Sequence, residues 1–514
     1  MFLVPMGDGW EQGHDAICLR GSTMTQKPNI LWICTDQQRW DTLSCLGFHG
    51  ARTPNIDRIA KSGAAFRRAY CQSPICTPSR ASFLTGMYPI AHQVHRNGNA
   101  AFPDHLPLLP KHLKDDGYRT GLIGKLHLSR AEGIEEKRPD DGYDEFYWSH
   151  HPDPDWENGH DYQDWLVEKG IDPRELYADQ KGAIRSGVPS ELHQTSWAGD
   201  RATGFLKAHR DDNWMLSINL FDPHPAFDPP GTYLDQFRSV DMPKPLFRQS
   251  DIAHHEKLAG RVDQQARKAI DPSQAGDATS GPEYTTEGAH DRPPENANMQ
   301  QLRASYHAMI AQIDDMIGRL LDTLAATEQL DNTLIIFMSD HGEMLGDHGL
   351  LYKGCRFYEG LVHVPLIISY PAEIQAGLVS DALTELLDIP QTILDFAGIR
   401  PDSAMQGKSL RPLLTGQSDP HQHRPYVLSE YFDALGFEGS IGSRGSMYFD
   451  GRYKICVYHD AVTGELFDHA TDPDEYVDLW DNQDFQALKC EMIQKHFNAM
   501  MLVSGKGPER CADF

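Results

Sequence analysis

The plainest pattern along the chain is a set of short, continuously apolar runs, each closed by polar or acidic residues. NILWICTD (29–36) is β-rich and lacks polar alternation, the form expected of a strand covered on both faces, and it leaves Asp36 at its carboxyl end. Similar runs recur at TGLIG (120–124), WMLSINLFD (214–222), TLIIFMSD (333–340) and VPLIISY (364–370), with helical patterns between several of them. That alternation predicts an α/β fold with a large, mostly parallel sheet. The clearest helix spans 299–324, where Leu302, Tyr306, Met309, Ile313, Ile317, Leu320 and Leu324 recur at three- and four-residue spacing, a crossover feeding TLIIFMSD. Residues 251–298 are polar and rich in Gly, Pro, Ser and Asp, which reads as a long insertion or mobile loop. Beyond residue 400 the pattern changes to short strands around RPYVLSEY, SMYFDGRYKICVYH and TGELFDH. The expected organisation is an N-terminal extension (1–24), a large α/β domain (25–420) and a smaller C-terminal subdomain with an antiparallel sheet (421–514).

Composition narrows the partners more than the fold. The 47 basic and 74 acidic residues give a net charge of −27, a field that repels nucleic acid but leaves room for a locally basic pocket. No apolar stretch approaches the roughly 20 residues of a membrane span. The start, MFLVPMGDGWEQGHD, lacks the basic and apolar regions of an export signal. A cytoplasmic location is expected, or a periplasmic one if the N-terminus is misassigned. Nine scattered cysteines are odd in number, which speaks for a reducing compartment rather than a disulfide framework. CQSPIC is spaced too widely for a zinc ribbon. The C-terminal Phe497, Met500, Met501, Leu502 and Val503 fit packing on the chain's own core or on a second copy in a homo-oligomer.

In open α/β sheets ligands bind outside the carboxyl ends of the strands. Those ends carry Asp36 and Gln37, Lys125 and His127, Asp222 and His224, Asp340 and His341, and a little later Lys353. Singly, each has an ordinary reading: a cap, a turn residue, a satisfied histidine, a solvated lysine. Jointly, two acidic strand ends at one crevice would repel each other without a cation, and their oxygens suit calcium, magnesium or manganese. Cys76 stands just before a Pro and a helical run, where a thiol meets a helix N-terminus or is simply buried structure.

CTPSRASFLTG (76–86) resembles the sulfatase signature, in which the cysteine is converted to formylglycine. The resemblance extends over 28–480: PNILWICTDQQR, GKLH, FDPHPAF, SDHGEMLGDHGLLYKG and MQGKSLRPLLTG are similar to successive landmarks of that family. It implies an alkaline-phosphatase-like α/β sandwich, a sulfate monoester substrate and the help of a formylglycine-generating maturation enzyme. It also implies one divalent metal, with calcium first and manganese the alternative, held by Asp36, Gln37, Asp340, His341 and an oxygen of the matured Cys76. Arg80 would pair with the metal carboxylates, Lys125 and Lys353 would contact the sulfate, His224 would protonate the leaving oxygen, and His127 would act as base. Two departures stand out. Gln37 replaces a second aspartate and His341 an asparagine, features shared with phosphonate monoester hydrolases. Asn97 is also similar to a substrate contact in that branch, whereas the complete Lys125-x-His127 pair is the sulfatase arrangement. A phosphonate monoester or phosphodiester hydrolase is thus the rival enzyme, and an unmatured anion-binding protein the rival of another class.

Overall fold

The computed structural model describes residues 27–131, 133–178, 184–258, 262, 271–272, 298–432 and 442–505. The extension at 1–24 and most of the polar segment after residue 258 lie outside them.

Nine strands form the main sheet: β1 Asn29–Thr35, β2 Ala64–Tyr70, β3 Arg119–Gly124, β4 Glu145–Trp148, β5 Trp214–Asn219, β6 Thr333–Ser339, β7 His363–Ser369, β8 Leu378–Ser380 and β9 Thr384–Glu385. Their order is β4-β3-β5-β1-β6-β7-β2-β8, with β9 also on β2. β4 through β6 in that order pair in parallel, while β7, the VPLIISY run, is antiparallel to both neighbours. Period-two alternation decides which face each residue covers. Ile30, Trp32 and Cys34 enter one core with Phe83, Leu109 and Ile393; Leu31 and Ile33 enter the other with Ile56, Trp197 and Ile313. Both faces being buried, the strands read as unbroken apolar runs.

The Met299–Ala326 helix is the expected crossover, its N-terminus capped by Asn298, whose side chain accepts the Gln301 N–H. The second sheet is antiparallel, β10 Val427–Phe432, β11 Arg444–Phe449, β12 Tyr453–Tyr458 and β13 Thr463–Asp468. One of its faces carries Leu428, Ile455 and Leu466 against Met492 and Ala499 of the Gln486–Val503 helix; the other joins the main core through Met447, Cys456 and Phe467. On that terminal helix Met500 and Val503 pack inward, whereas Phe497, Met501 and Leu502 are exposed.

One reading of a polar stretch needs correction. The segment expected to begin a mobile insertion at 251 starts as a helix, Gln249–Leu258, with Asp251, His255 and Leu258 buried and His254 bonded to Glu465 of β13 at 2.6 Å. The aromatic stretch at 140–156 supplies β4 and buries Trp148 and Trp156; Trp165 is buried as well. Seven cysteines of the described residues are free thiols.

Candidate active site

β3, β5, β1 and β6 are consecutive in the sheet, so their carboxyl ends open on one crevice. Tight backbone turns deliver the side chains. Gly124 leaves β3 with φ 105°, and a Cβ there would stand 2.0 Å from the Asn219 carbonyl oxygen, which only glycine permits. Gln37 and His127 are themselves left-handed, with φ of 67° and 56°, conformations that persist only where surrounding bonds dictate them. Gln37 is fixed by its N–H on Asp340 Oδ1 (3.0 Å) and its carbonyl under the Tyr306 hydroxyl (2.7 Å). His127 and Leu128 both donate their N–H groups to the buried Glu136 carboxylate, at 2.5 and 2.8 Å. Cys76 is the first residue of the wholly buried Cys76–Thr85 helix, following Ile75 in extended conformation, so the helix dipole favours negative charge at its Sγ.

Four donor groups converge: Asp36, Cys76, Asp340 and His341 are all buried, with one ligand atom of each within 4.8 Å of the others. Cys76 Sγ is 3.1 Å from His341 Nε2 and 3.8 Å from Asp36 Oδ1, and His341 Nε2 is 3.8 Å from both Asp36 Oδ1 and Asp340 Oδ1. The His341 ring is oriented by Nδ1, which donates to the Gly342 carbonyl at 2.9 Å and so frees Nε2 for a ligand. The outer carboxylate oxygens are taken: Arg80 bridges Asp36 Oδ2 (3.1 Å) and Asp340 Oδ2 (2.9 Å), and Lys125 Nζ reaches Asp36 Oδ2 at 2.5 Å. Burial opposes charge on Asp36, yet Lys125, Arg80 and Lys353 hold its carboxyl well below the usual range. Burial would also lower His341, but Asp340 and Cys76 draw it upward, so the cluster favours positive charge where Nε2 points. The donor set and this attraction fit a divalent cation.

Above the cluster, Lys353 Nζ donates to Gln37 Oε1 (2.9 Å) and to His224 Nε2 (2.8 Å). His224 Nδ1 donates to the Pro225 carbonyl at 2.7 Å, so its Nε2 is an acceptor and the shared proton sits on Lys353. Burial, then Lys353 and Lys125, keep His224 well below the ordinary histidine range, and burial, Lys125 and Arg80 do the same for His127. Both are therefore neutral at pH 7. Burial and Asp36 push the Cys76 thiol up, but Lys125, Lys353 and His341 prevail and bring it to about 7. Asn97, half-buried, accepts the Thr77 N–H at 3.0 Å beside Cys76. Eleven of the twelve residues singled out from the sequence thus meet in this crevice, while the twelfth, Asp222, accepts the Thr195 hydroxyl beside it.

Three further residues were not read from the sequence. Glu343 accepts the Gln37 side-chain amide and the N–H groups of Leu345 and Tyr352, which sets the Gln37 oxygen toward Lys353. Glu136 anchors the Lys125–His127 turn and also accepts Trp148 Nε1 at 2.8 Å. His150 stands edge-on to His127. Glu343 had a sequence signal, its place two residues beyond His341; the other two had none. A second polar cluster, His193, Asp222 and Asp228, braces the loop carrying His224. His193 Nδ1 there already accepts the Thr195 N–H, and Asp222 the Thr195 hydroxyl.

The family model described as Sulfatase matches residues 28–399, most of the chain. The chain belongs to the sulfatase family. A second model, N-sulphoglucosamine sulphohydrolase, C-terminal, matches residues 346–501 of this sulfatase. It is 30% identical over 482 residues to an arylsulfatase of Clostridium perfringens, covering 90% of this chain and 92% of that one. It is 29% identical over 514 residues to an N-acetylglucosamine-6-O-sulfatase of Bacteroides thetaiotaomicron, covering 91% and 86%. Among solved structures, the phosphonate monoester hydrolase SpPMH from Silicibacter pomeroyi superposes with a TM-score of 0.77 at 25% identity, over 93% of this chain and 96% of that one. The sulfatase is a sulfuric ester hydrolase of the alkaline phosphatase superfamily. Family membership brings a metal and a formylglycine, and the buried Asp36, Cys76, Asp340 and His341 cluster fits both. No helix among the described residues is long and apolar enough to cross a membrane.

Proposed function

We propose that this sulfatase cleaves a small-molecule sulfate monoester in the crevice at the ends of β3, β5, β1 and β6, with matured Cys76 as nucleophile. The supporting observation is the joint geometry: a cation-ready donor cluster with Cys76 in it, flanked by Arg80, Lys125 and Lys353 and by two neutral histidines. When bound, the metal supplies a Lewis acid and the formylglycine a hydrated aldehyde nucleophile. Asp36, Gln37, Asp340 and His341 would hold the metal, calcium first and manganese the rival. The chain's own residues supply the rest. Arg80 fixes both carboxylates and neutralises their outer oxygens. Lys125 and Lys353 present fixed positive charge to the non-bridging sulfate oxygens as negative charge builds there. The departing oxygen takes its proton from the Lys353–His224 pair, in which Lys353 holds it and His224 Nε2 is the adjacent acceptor. Neutral His127 accepts a proton when sulfate is expelled, and Asn97 orients the substrate beside residue 76. Maturation of Cys76 calls for a formylglycine-generating enzyme.

A second reading, phosphonate monoester hydrolysis at the same site, is favoured by the neutral Gln37, by Asn97 and by the fit to SpPMH. The deciding experiment is kcat/KM on matched aryl sulfate and phenylphosphonate esters, with the protein's Cys76 peptide weighed by mass spectrometry. A clear preference for sulfate by aldehyde-bearing protein supports the first reading. Preference for phosphonate replaces it with the second.

A further inference from the structure

Two residues past β4, the chain turns His150 into the crevice. Its ring stands edge-on to His127 with centroids 4.9 Å apart, and 5.6 Å from Phe221, over which Lys125 Nζ lies at 5.5 Å. His150 Nε2 and His127 Nδ1 are both buried without a hydrogen-bond partner among the described residues. Buried polar atoms are nearly always paired, so both are expected to meet a water or substrate atom. Away from the crevice His150 is part of a chain of bonds. Its Nδ1 is 3.2 Å from His151 Nδ1, and His151 Nε2 is 2.7 Å from Oδ1 of Asp155, whose side chain is 67% exposed. The carboxylate only accepts, so His151 donates from Nε2 and, when neutral, accepts at Nδ1; His150 then donates from Nδ1 and leaves a lone pair on Nε2. The charged and titratable groups facing His150 are Lys125, His127, His151 and His224, and the Lys125 charge adds to burial in keeping it neutral.

Hydrolysis of a sulfate monoester anion yields an alcohol, a sulfate dianion and one proton, and that proton is released in a crevice whose Lys125 and His127 are buried. We propose that His150, His151 and Asp155 form a relay that carries this proton to solvent. His150 Nε2 binds the proton as Nδ1–H passes to His151 Nδ1; His151 gives up its Nε2–H to Asp155, from which water removes it. Each ring gains one N–H bond and loses one, and exchange with water restores the starting tautomers between turnovers. The inference requires only ester hydrolysis in this crevice, not a particular ester or metal.

The test is His151→Phe in the matured protein, assayed on an activated aryl sulfate in dilute buffer. The ring keeps its place against Trp156, 4.4 Å away, but the line of bonds is cut. We expect kcat to fall about 10²-fold, the low end for general acid–base groups, with KM within about twofold and with added imidazole restoring most of the rate. An unchanged kcat, or a loss that imidazole does not relieve, overturns the relay. On the wild-type protein, kcat should depend non-linearly on the deuterium fraction of the solvent, as for several protons in flight, and a rate independent of deuterium overturns it too. A wild type inactive on every sulfate and phosphonate ester would instead defeat the hydrolase reading.

Discussion

Replacing Glu430 with Gln should stabilise the protein, and only above acid pH. Glu430 sits on β10 at 2% exposure; Oε1 accepts the Ile90 N–H at 2.8 Å, but Oε2 is buried with no partner among the described residues. Burial lifts its carboxyl from 4.5 to about 7, and the single Ile90 bond offsets this only in part. A carboxyl raised in the folded state stays protonated where the unfolded chain has already lost its proton. Its stabilising contribution is therefore complete below pH 4.5 and is lost as pH rises through about 7. The gap corresponds to about 3 kcal/mol at roughly 1.4 kcal/mol per pH unit. Gln has the same shape and cannot ionise, so Glu430→Gln should gain almost nothing near pH 4, about 2 kcal/mol at pH 6 and about 3 kcal/mol at pH 8. Spread over so long a chain, the last figure is only about 3 °C in Tm. Urea unfolding of both proteins at several pH values reads the difference directly. A gain that does not change with pH, or a loss throughout, would refute the claim that the carboxylate lacks a partner.

The remaining predictions concern the crevice. Cys76→Ala should abolish turnover while circular dichroism and Tm show a folded protein; an active variant rules out the covalent route. His224→Ala should cost alkyl sulfates about tenfold more than nitrophenyl sulfates in kcat, within the usual range of general-acid effects, and equal losses would remove His224 from proton delivery. Glu343→Gln puts an amide donor against the Gln37 amide and two backbone N–H groups, so the metal should bind about 10- to 100-fold more weakly by calorimetric titration; unchanged affinity would show that the Gln37 oxygen is not a ligand. Chelation should remove activity reversibly with the fold retained, because Arg80 and Lys125 still neutralise the carboxylates, and activity in protein shown metal-free by elemental analysis would contradict the assigned cage.

Legibility in the sequence followed the locality of the physics. Strands buried on both faces declare themselves as unbroken apolar runs, and the residues just past their carboxyl ends are fixed by sheet geometry, so Asp36, Lys125, His224 and Asp340 could be placed together before any coordinates. Strand direction was less visible: β7 has the same composition as its parallel neighbours yet runs against them, because side-chain pattern reports burial and not polarity. Polar stretches were read least well. Asp251 and His255 look like loop residues, but Glu465 on β13, bonded to His254 from 211 residues away, holds the helix that buries them. Glu136 and His150 are likewise defined by what they face, three N–H groups and an indole in one case, a lone pair in a crevice in the other. Neither relation has a period or spacing along the chain.

The same distinction bears on substrate preference. The cluster of Asp36, Asp340, His341 and Cys76 serves the sulfate and the phosphonate readings of this site equally. Two features of the proposed site bear on any anionic ester, the charge at the metal and the route of the proton. As a ligand in the proposed cage, Gln37 would leave it less negative by one charge than an aspartate, which lessens repulsion toward an anionic substrate of either kind. The proposed proton route is more discriminating: Lys353 gives its hydrogen bond to neutral His224, so a poor leaving group would be protonated without a histidinium forming in a crevice where Lys353 and Lys125 oppose added positive charge. Unactivated alcohol esters, rather than aryl ones, are where this arrangement gains most, and the comparison of alkyl with nitrophenyl sulfates on the wild-type protein and on His224→Ala measures that gain.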